Sequence, residues 1–164
     1  MKTVVYAASA VAALAIAAAG YFGSSSAAPQ STFVLLDGTT AKTSDLRGKV
    51  TLVNFWTTSC TPCVAGMPQL AAAYDKYHAL GFEAVAVAMH SDRPNDVAMF
   101  SETRRLPFKV AVDATGEIGK AWSAAQGAPT VYVLNRRGEI VRRFAGEIDF
   151  DEVQRLVEKL LTSA

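Results

Sequence analysis

Cys60 and Cys63 are the only cysteines of this 164-residue chain, and they stand together as Cys60-Thr61-Pro62-Cys63. Two thiols with two residues between them can exchange a disulfide, help hold a metal, or tether a haem. In a helix, side chains at i and i+3 share nearly one face. With a rise of about 1.5 Å per residue, their Cα atoms fall within the roughly 4.4–6.8 Å that a disulfide spans. The bond can therefore close and open with little backbone movement. As a purely structural crosslink, so short a ring stabilises by only about 2 kcal/mol on a loop-entropy basis. Zinc wants four ligands, and the other candidates, His78 and His90, lack the close spacing of a zinc finger. Haem attachment wants His directly after the second cysteine, where the chain has Val64. Disulfide exchange is the chemistry that fits, with no metal and no other cofactor expected.

The elements around the pair support that chemistry. Val50-Thr51-Leu52-Val53-Asn54-Phe55-Trp56 is a nearly continuous apolar run, the mark of a central strand buried on both faces. From Cys60 to Leu80, Val64, Met67, Leu70, Ala71, Tyr74 and Tyr77 recur at helical spacing. Pro68 should kink this helix and Gly81 should end it. The pair thus falls at the start of a helix, where unpaired N–H groups and the helix dipole favour an anion. Cysteines so placed have pKa values lowered to roughly 3.5–7.5. Cys60 is expected to be the exposed thiolate that attacks a partner's disulfide. Cys63, one turn inside, is expected to resolve the mixed disulfide. Thr61 and Pro62 between them tune the thiolate.

Further along, Phe82 to Met89 reads as a second buried strand, and Pro94 opens a helix to about Arg104. A short strand at Val110–Val112 and a short helix at Gly116–Trp122 follow. Thr130–Leu134 and Glu139–Phe144 read as a hairpin around Asn135-Arg136-Arg137-Gly138. The last helix starts at Asp149, with Glu152 completing a capping box, and carries the stripe Val153, Leu156, Val157, Leu160 and Leu161. The order predicts an α/β fold, a central mixed β-sheet flanked by helices.

Lys2 precedes an uncharged, Ala-rich run over residues 4–22. That length approaches the roughly 20 apolar residues that span a bilayer and exceeds a typical signal-peptide core. An N-terminal hydrophobic helix is expected, anchored in the inner membrane with the rest of the chain facing the periplasm. Cleavage of a signal after Ala27 or Ala28, leaving a soluble periplasmic protein, is the alternative. Residues 1–28 are read as anchor or signal with a short linker, and 29–164 as the globular domain. The chain has 16 basic and 15 acidic residues, and without Lys2 the balance is 15 to 15. Nothing in that balance points to nucleic acid.

Asn54-Phe55-Trp56-Thr57-Thr58-Ser59-Cys60-Thr61-Pro62-Cys63 followed by Met67-Pro68 resembles the TlpA/ResA-like branch of the thioredoxin superfamily. Gly127-Ala128-Pro129-Thr130 resembles its second signature, a loop whose proline is cis in that family. Asn135 to Val141, with Gly146, resembles its late hairpin. The likeness covers roughly residues 33–161. It implies a thioredoxin-like fold and extracytoplasmic thiol–disulfide exchange, more as a reductase than as an oxidant. It also implies disulfide-bearing protein substrates and a membrane electron donor, with Ala128 and Pro129 facing the cysteines to bind the partner's backbone. The chain departs from the pattern at three places. Asn54 stands where thioredoxins carry a buried Asp, Gly66 where ResA-like members have Glu, and Ser59 where Trp often precedes the first cysteine. Trp56 is then the candidate to cover part of the partner-binding surface, with a place in the core as the equal alternative. With both acids missing, proton transfer at Cys63 is expected to rely on water or another group. Two other functions compete: a non-catalytic thioredoxin-like binding module, and a thiol peroxidase. Thr57 and Cys60 have the Thr-x-x-Cys spacing of peroxiredoxins, but Val53 stands where that family has proline.

Overall fold

The computed structural model describes residues 25–125 and 127–163. In chain order the strands and helices are β1 (Ser26–Ala27), β2 (Thr32–Val34), β3 (Thr40–Lys42), β4 (Val50–Trp56), α1 (Thr61–Tyr77), β5 (Phe82–Ala88), α2 (Pro94–Arg104), β6 (Lys109–Val112), α3 (Glu117–Ala121), β7 (Thr130–Leu134), β8 (Glu139–Ala145) and α4 (Phe150–Thr162). Short 3-10 turns cover Thr43–Leu46 and His78–Leu80. The expected N-terminal helix over residues 4–22 lies outside the described residues. No helix among the described residues is long and apolar enough to cross a membrane.

All seven residues of β4 are buried, as its unbroken apolar run predicts. It lies between β5 and β7 in a six-stranded sheet of order β1-β8-β7-β4-β5-β6. β4, β5 and β6 run parallel, whereas β7 and β8 are antiparallel to their neighbours. β2 and β3 form a separate antiparallel pair. The sheet is mixed, with helices on both faces.

Side-chain alternation along β4 divides the core. Leu52 and Trp56 pack with Cys63, Met67 and Leu70 of α1, Val97 of α2, and Val153 and Val157 of α4. Val53 and Phe55 pack on the opposite face with Phe33, Ala41, Trp122 and Tyr132. α1 holds its place through Cys63, Gly66, Met67, Leu70 and Tyr77, a stripe at helical spacing. Burying side chains such as Met67 and Leu70 contributes about 1.5–3 kcal/mol each. Pro68 is accommodated within α1. The 3-10 turn extends the helix to Leu80, and Gly81 closes it in the left-handed region at φ 93°.

The amino end of α4 departs from expectation in one bond. The Asp149 carboxylate accepts from the Asp151 and Glu152 N–H groups. Glu152, expected to reach back and complete a capping box, instead pairs with Arg142 of β8 at 3.0 Å. An exposed guanidinium across the chain competes successfully for that carboxylate.

Candidate functional site

The site is built where β4 ends and α1 begins. After Trp56 the chain turns through Thr57, Thr58 and Ser59, and the Cys60 N–H donates to the Thr57 carbonyl at 3.2 Å. Cys60 is the residue that caps α1, with extended backbone at φ −85° and ψ 99°. Its carbonyl accepts the first helical bond, from Val64 N–H at 3.0 Å. The two cysteines are disulfide-bonded with a Cα–Cα distance of 5.2 Å, inside the expected window. The Cys63 N–H donates to Cys60 Sγ at 3.2 Å. Pro62, in the first turn, has no N–H to offer. Thr61 and Pro62 are exposed, Cys60 is partly exposed, and Cys63 is 4% exposed. A large partner can therefore reach Cys60, while Cys63 is reached only through it.

The loop before β7 borders this site. Thr130 pairs with Phe55 across the sheet, which sets Pro129 level with the carboxyl end of β4. The Ala128–Pro129 bond is cis. Pro129 is buried and its carbonyl accepts from Gly146 N–H at 3.1 Å, while Ala128 is partly exposed. Of the residues predicted for the site, the structure gathers Cys60, Thr61, Pro62 and Cys63 on one turn. It sets Ala128 and Pro129 at the same end of the sheet.

Trp56 is the exception. It is 0% exposed and packs on Phe100 with ring centroids 5.0 Å apart. It therefore has no surface to give a partner and is a core residue. Position 56 belongs to a strand covered on both faces, so its side chain points into the layer between sheet and helices. Its indole N–H finds no acceptor among the described residues.

The two positions that lack acids hold an amide and a glycine, so neither offers a carboxylate to Cys63. Asn54 is 4% exposed and stands between Leu52 and Trp56 on the α1 side of the sheet. Gly66 is buried, and a Cβ placed on it would lie 2.5 Å from Phe150 Cε2 and 2.6 Å from Cζ. The aromatic ring at the start of α4 fills the space a side chain at position 66 would need. Glu83 and Asp113 are the only buried acids among the described residues. Glu83 sits near the other end of β5, pairing with Lys49 at 3.3 Å and with Lys109. Asp113 caps α3, accepting from Gly119 N–H at 2.8 Å. Neither serves Cys63.

One residue absent from the sequence reading also shapes the site. The Asp92 carboxylate, in the loop after β5, accepts from Thr58 N–H at 2.7 Å and from Thr58 Oγ1 at 2.9 Å. No local pattern signals a contact between positions 34 residues apart. His78 stacks on Tyr74 at 5.2 Å, and His90 lies against Gly116. A cavity of about 660 Å³ opens on the β6 edge beside Leu35, Asp113 and Ile118, but neither cysteine lines it.

Comparison with known proteins gives a consistent result. Residues 23–160 match the Redoxin family. The chain is 30% identical over 135 residues to the thiol-disulfide oxidoreductase ResA of Bacillus thuringiensis subsp. konkukian, covering 81% of this chain and 76% of that protein. It is 34% identical over 119 residues to ResA of Oceanobacillus iheyensis, covering 73% and 61%. Among solved structures, a thiol:disulfide interchange protein of the thioredoxin family from Chlorobium tepidum superposes with a TM-score of 0.75 at 25% identity. That match covers 85% of this chain and 98% of that one.

Proposed function

The chain belongs to the Redoxin family and is a thiol–disulfide oxidoreductase of the TlpA/ResA-like kind within the thioredoxin superfamily; we propose that it reduces disulfides of protein partners outside the cytoplasm. The single observation that carries the reading is the asymmetry of the pair. Cys60 is partly exposed at the cap of α1, with the Cys63 N–H directed at its sulfur, while Cys63 is buried behind it.

In the reduced protein the helix-start N–H groups stabilise the Cys60 thiolate. That thiolate attacks one sulfur of the partner's disulfide. A Cys60–partner mixed disulfide forms, and the partner's other sulfur leaves as a thiolate that takes a proton. Cys63 then loses its proton and attacks Cys60 Sγ. The Cys60–Cys63 disulfide closes and the partner's second thiolate leaves. The partner gains two electrons from the pair and two protons from water, which takes up the single proton that Cys63 releases. With Phe150 filling the space beside Gly66 and no carboxylate at positions 54 or 66, the Cys63 proton passes to water. Ala128 and Pro129 hold the partner's backbone across the sheet end, and Thr61 and Pro62 tune the thiolate. A membrane-bound dithiol donor restores the reduced pair. The Ala-rich run over residues 4–22 supports a periplasm-facing location, either as an inner-membrane anchor or as a cleaved signal. N-terminal sequencing of the mature protein separates the two, since a start near Ala28 ends the anchor reading.

The decisive test follows insulin reduction in the presence of a chemical dithiol. Wild type should be active and Cys60→Ser inactive, while Cys63→Ser should trap the mixed disulfide, visible by mass. Trapping through Cys63 in the Cys60→Ser variant would overturn the assigned roles. The direction is read from the reduction potential, near about −270 mV for a reductase and near about −120 mV for an oxidant.

A further inference from the structure

Asp92 is a half-buried carboxylate that the exchange mechanism does not use. Its two oxygens take separate bonds from Thr58, one from the N–H and one from the hydroxyl. The loop that bears it is itself tied to the site. The Met89 N–H donates to the Trp56 carbonyl at 3.0 Å, and the Asp92 N–H donates to the Met89 carbonyl at 2.9 Å. Thr58 lies two residues before Cys60, so their Cα atoms are at most about 7 Å apart. No salt bridge neutralises Asp92 among the described residues. Arg104 and Asp96 line the same pocket as Thr58, so one charge of each sign faces the turn there. Arg93 pairs with Asp96 at 2.8 Å, and Arg104 lies over the Phe100 ring.

From this placement we propose that Asp92 is a positioning residue that fixes a negative charge on the turn leading into Cys60 and so biases the pair toward the disulfide, making it a stronger reductant. The proposal rests on the reading that Cys60 is the attacking thiolate and deepens it. The balance is direct. Oxidation converts a Cys60 thiolate and a Cys63 thiol into a disulfide, releasing two electrons and one proton. A nearby carboxylate raises the energy of the thiolate on the reduced side and leaves the neutral disulfide nearly unaffected. Stabilised thiolates make oxidants, and a destabilised one makes a reductant. The same carboxylate holds the turn that carries Cys60, so its charge stays at a fixed distance.

Asp92→Asn separates charge from geometry. Its Oδ1 can still accept from Thr58 N–H, and its Nδ2 can donate to Thr58 Oγ1, so the turn is retained while the charge is lost. Redox equilibration of the purified protein with glutathione measures the potential without requiring activity on any partner. Asp92→Asn should shift that equilibrium about three- to tenfold toward the dithiol, a rise of about 14–30 mV at 29.6 mV per tenfold. The pH midpoint of thiolate absorbance should fall in parallel, and both changes should shrink in about 1 M salt. Thr58→Val, which removes one bond and keeps the charge, should leave the potential within about twofold. An unchanged potential and thiolate midpoint in a folded Asp92→Asn protein would overturn the proposal. So would a Thr58→Val shift equal to that of Asp92→Asn. Failure of the Cys60 assignment itself would appear separately, as retained insulin reduction by Cys60→Ser.

Discussion

Alanine at position 66 should change stability in opposite directions depending on what occupies position 150. A Cβ at Gly66 falls 2.5 Å and 2.6 Å from two carbons at the far edge of the Phe150 ring and 3.6 Å from a third. Favourable carbon contacts lie at about 3.5–4.0 Å, so the ring or the helix must move by about 1 Å. Overpacking of this kind costs about 1–3 kcal/mol. Against it stands the gain of about 1 kcal/mol for Ala over Gly inside a helix. Gly66→Ala should therefore destabilise the oxidised protein by about 0–2 kcal/mol. Phe150→Ala removes the obstacle at its own cost in lost burial. On that background Gly66→Ala should stabilise by about 1 kcal/mol, which leaves a coupling of about 1–3 kcal/mol. Urea unfolding of the four proteins, followed by far-UV circular dichroism, measures the cycle, with unchanged m-values as the check on two-state behaviour. Additivity within about 0.5 kcal/mol, or a stabilising Gly66→Ala in the wild-type background, would refute the reasoning. The same geometry bars the carboxylate that ResA-like members carry at this position. Gly66→Glu should be tolerated only when Phe150 is shortened.

Three further outcomes follow from the packing. Burial pushes the Glu83 carboxyl up, but the hydrogen bond and charge of Lys109, with the Ala84 N–H and Lys49, outweigh it and hold the group below the ordinary carboxylate range. A lowered folded-state value gives stability that is full above the unfolded value and lost as pH falls through the folded one. Glu83→Gln should cost about 1–3 kcal/mol at pH 7, and the gap from wild type should close on acidification below about pH 4 in urea melts at stepped pH. Trp56→Phe removes a buried N–H that has no acceptor among the described residues, which offsets part of the lost packing. It should change stability by less than about 2 kcal/mol and leave the KM for insulin within about twofold; a large KM increase would return Trp56 to the partner-binding surface. Asp149→Ala removes the cap of α4 and should cost about 1 kcal/mol in the same unfolding assay, with exchange activity retained.

The features legible in the sequence are those governed by backbone periodicity and local caps. The apolar run over Val50–Trp56 is a central strand because only a strand covered on both faces can bury every residue. Gly81 closes the extended α1 because its left-handed conformation suits glycine. Asp149 caps α4 because its carboxylate lies within reach of the next N–H groups. Where a second partner had to be chosen from elsewhere in the chain, local reasoning failed. Glu152 was expected to turn back to its own helix and instead meets Arg142 on β8. Trp56 could be read either as a cover for the site or as a core residue, and its strand alternation points it under Phe100.

The Cys60–Cys63 spacing, the strand before it and the helix after it determine by themselves that this chain carries an exchangeable disulfide with Cys60 outermost. Those relations lie within one helical turn, where bond geometry leaves few choices. Only the tertiary structure decides what surrounds the sulfurs. Phe150 closes the space beside Gly66, the loop of Ala128 and Pro129 arrives across the sheet, and Asp92 takes hold of Thr58. Each of these contacts joins segments far apart in the chain, and their pairing depends on how helices and loops pack on the sheet. No local propensity encodes it.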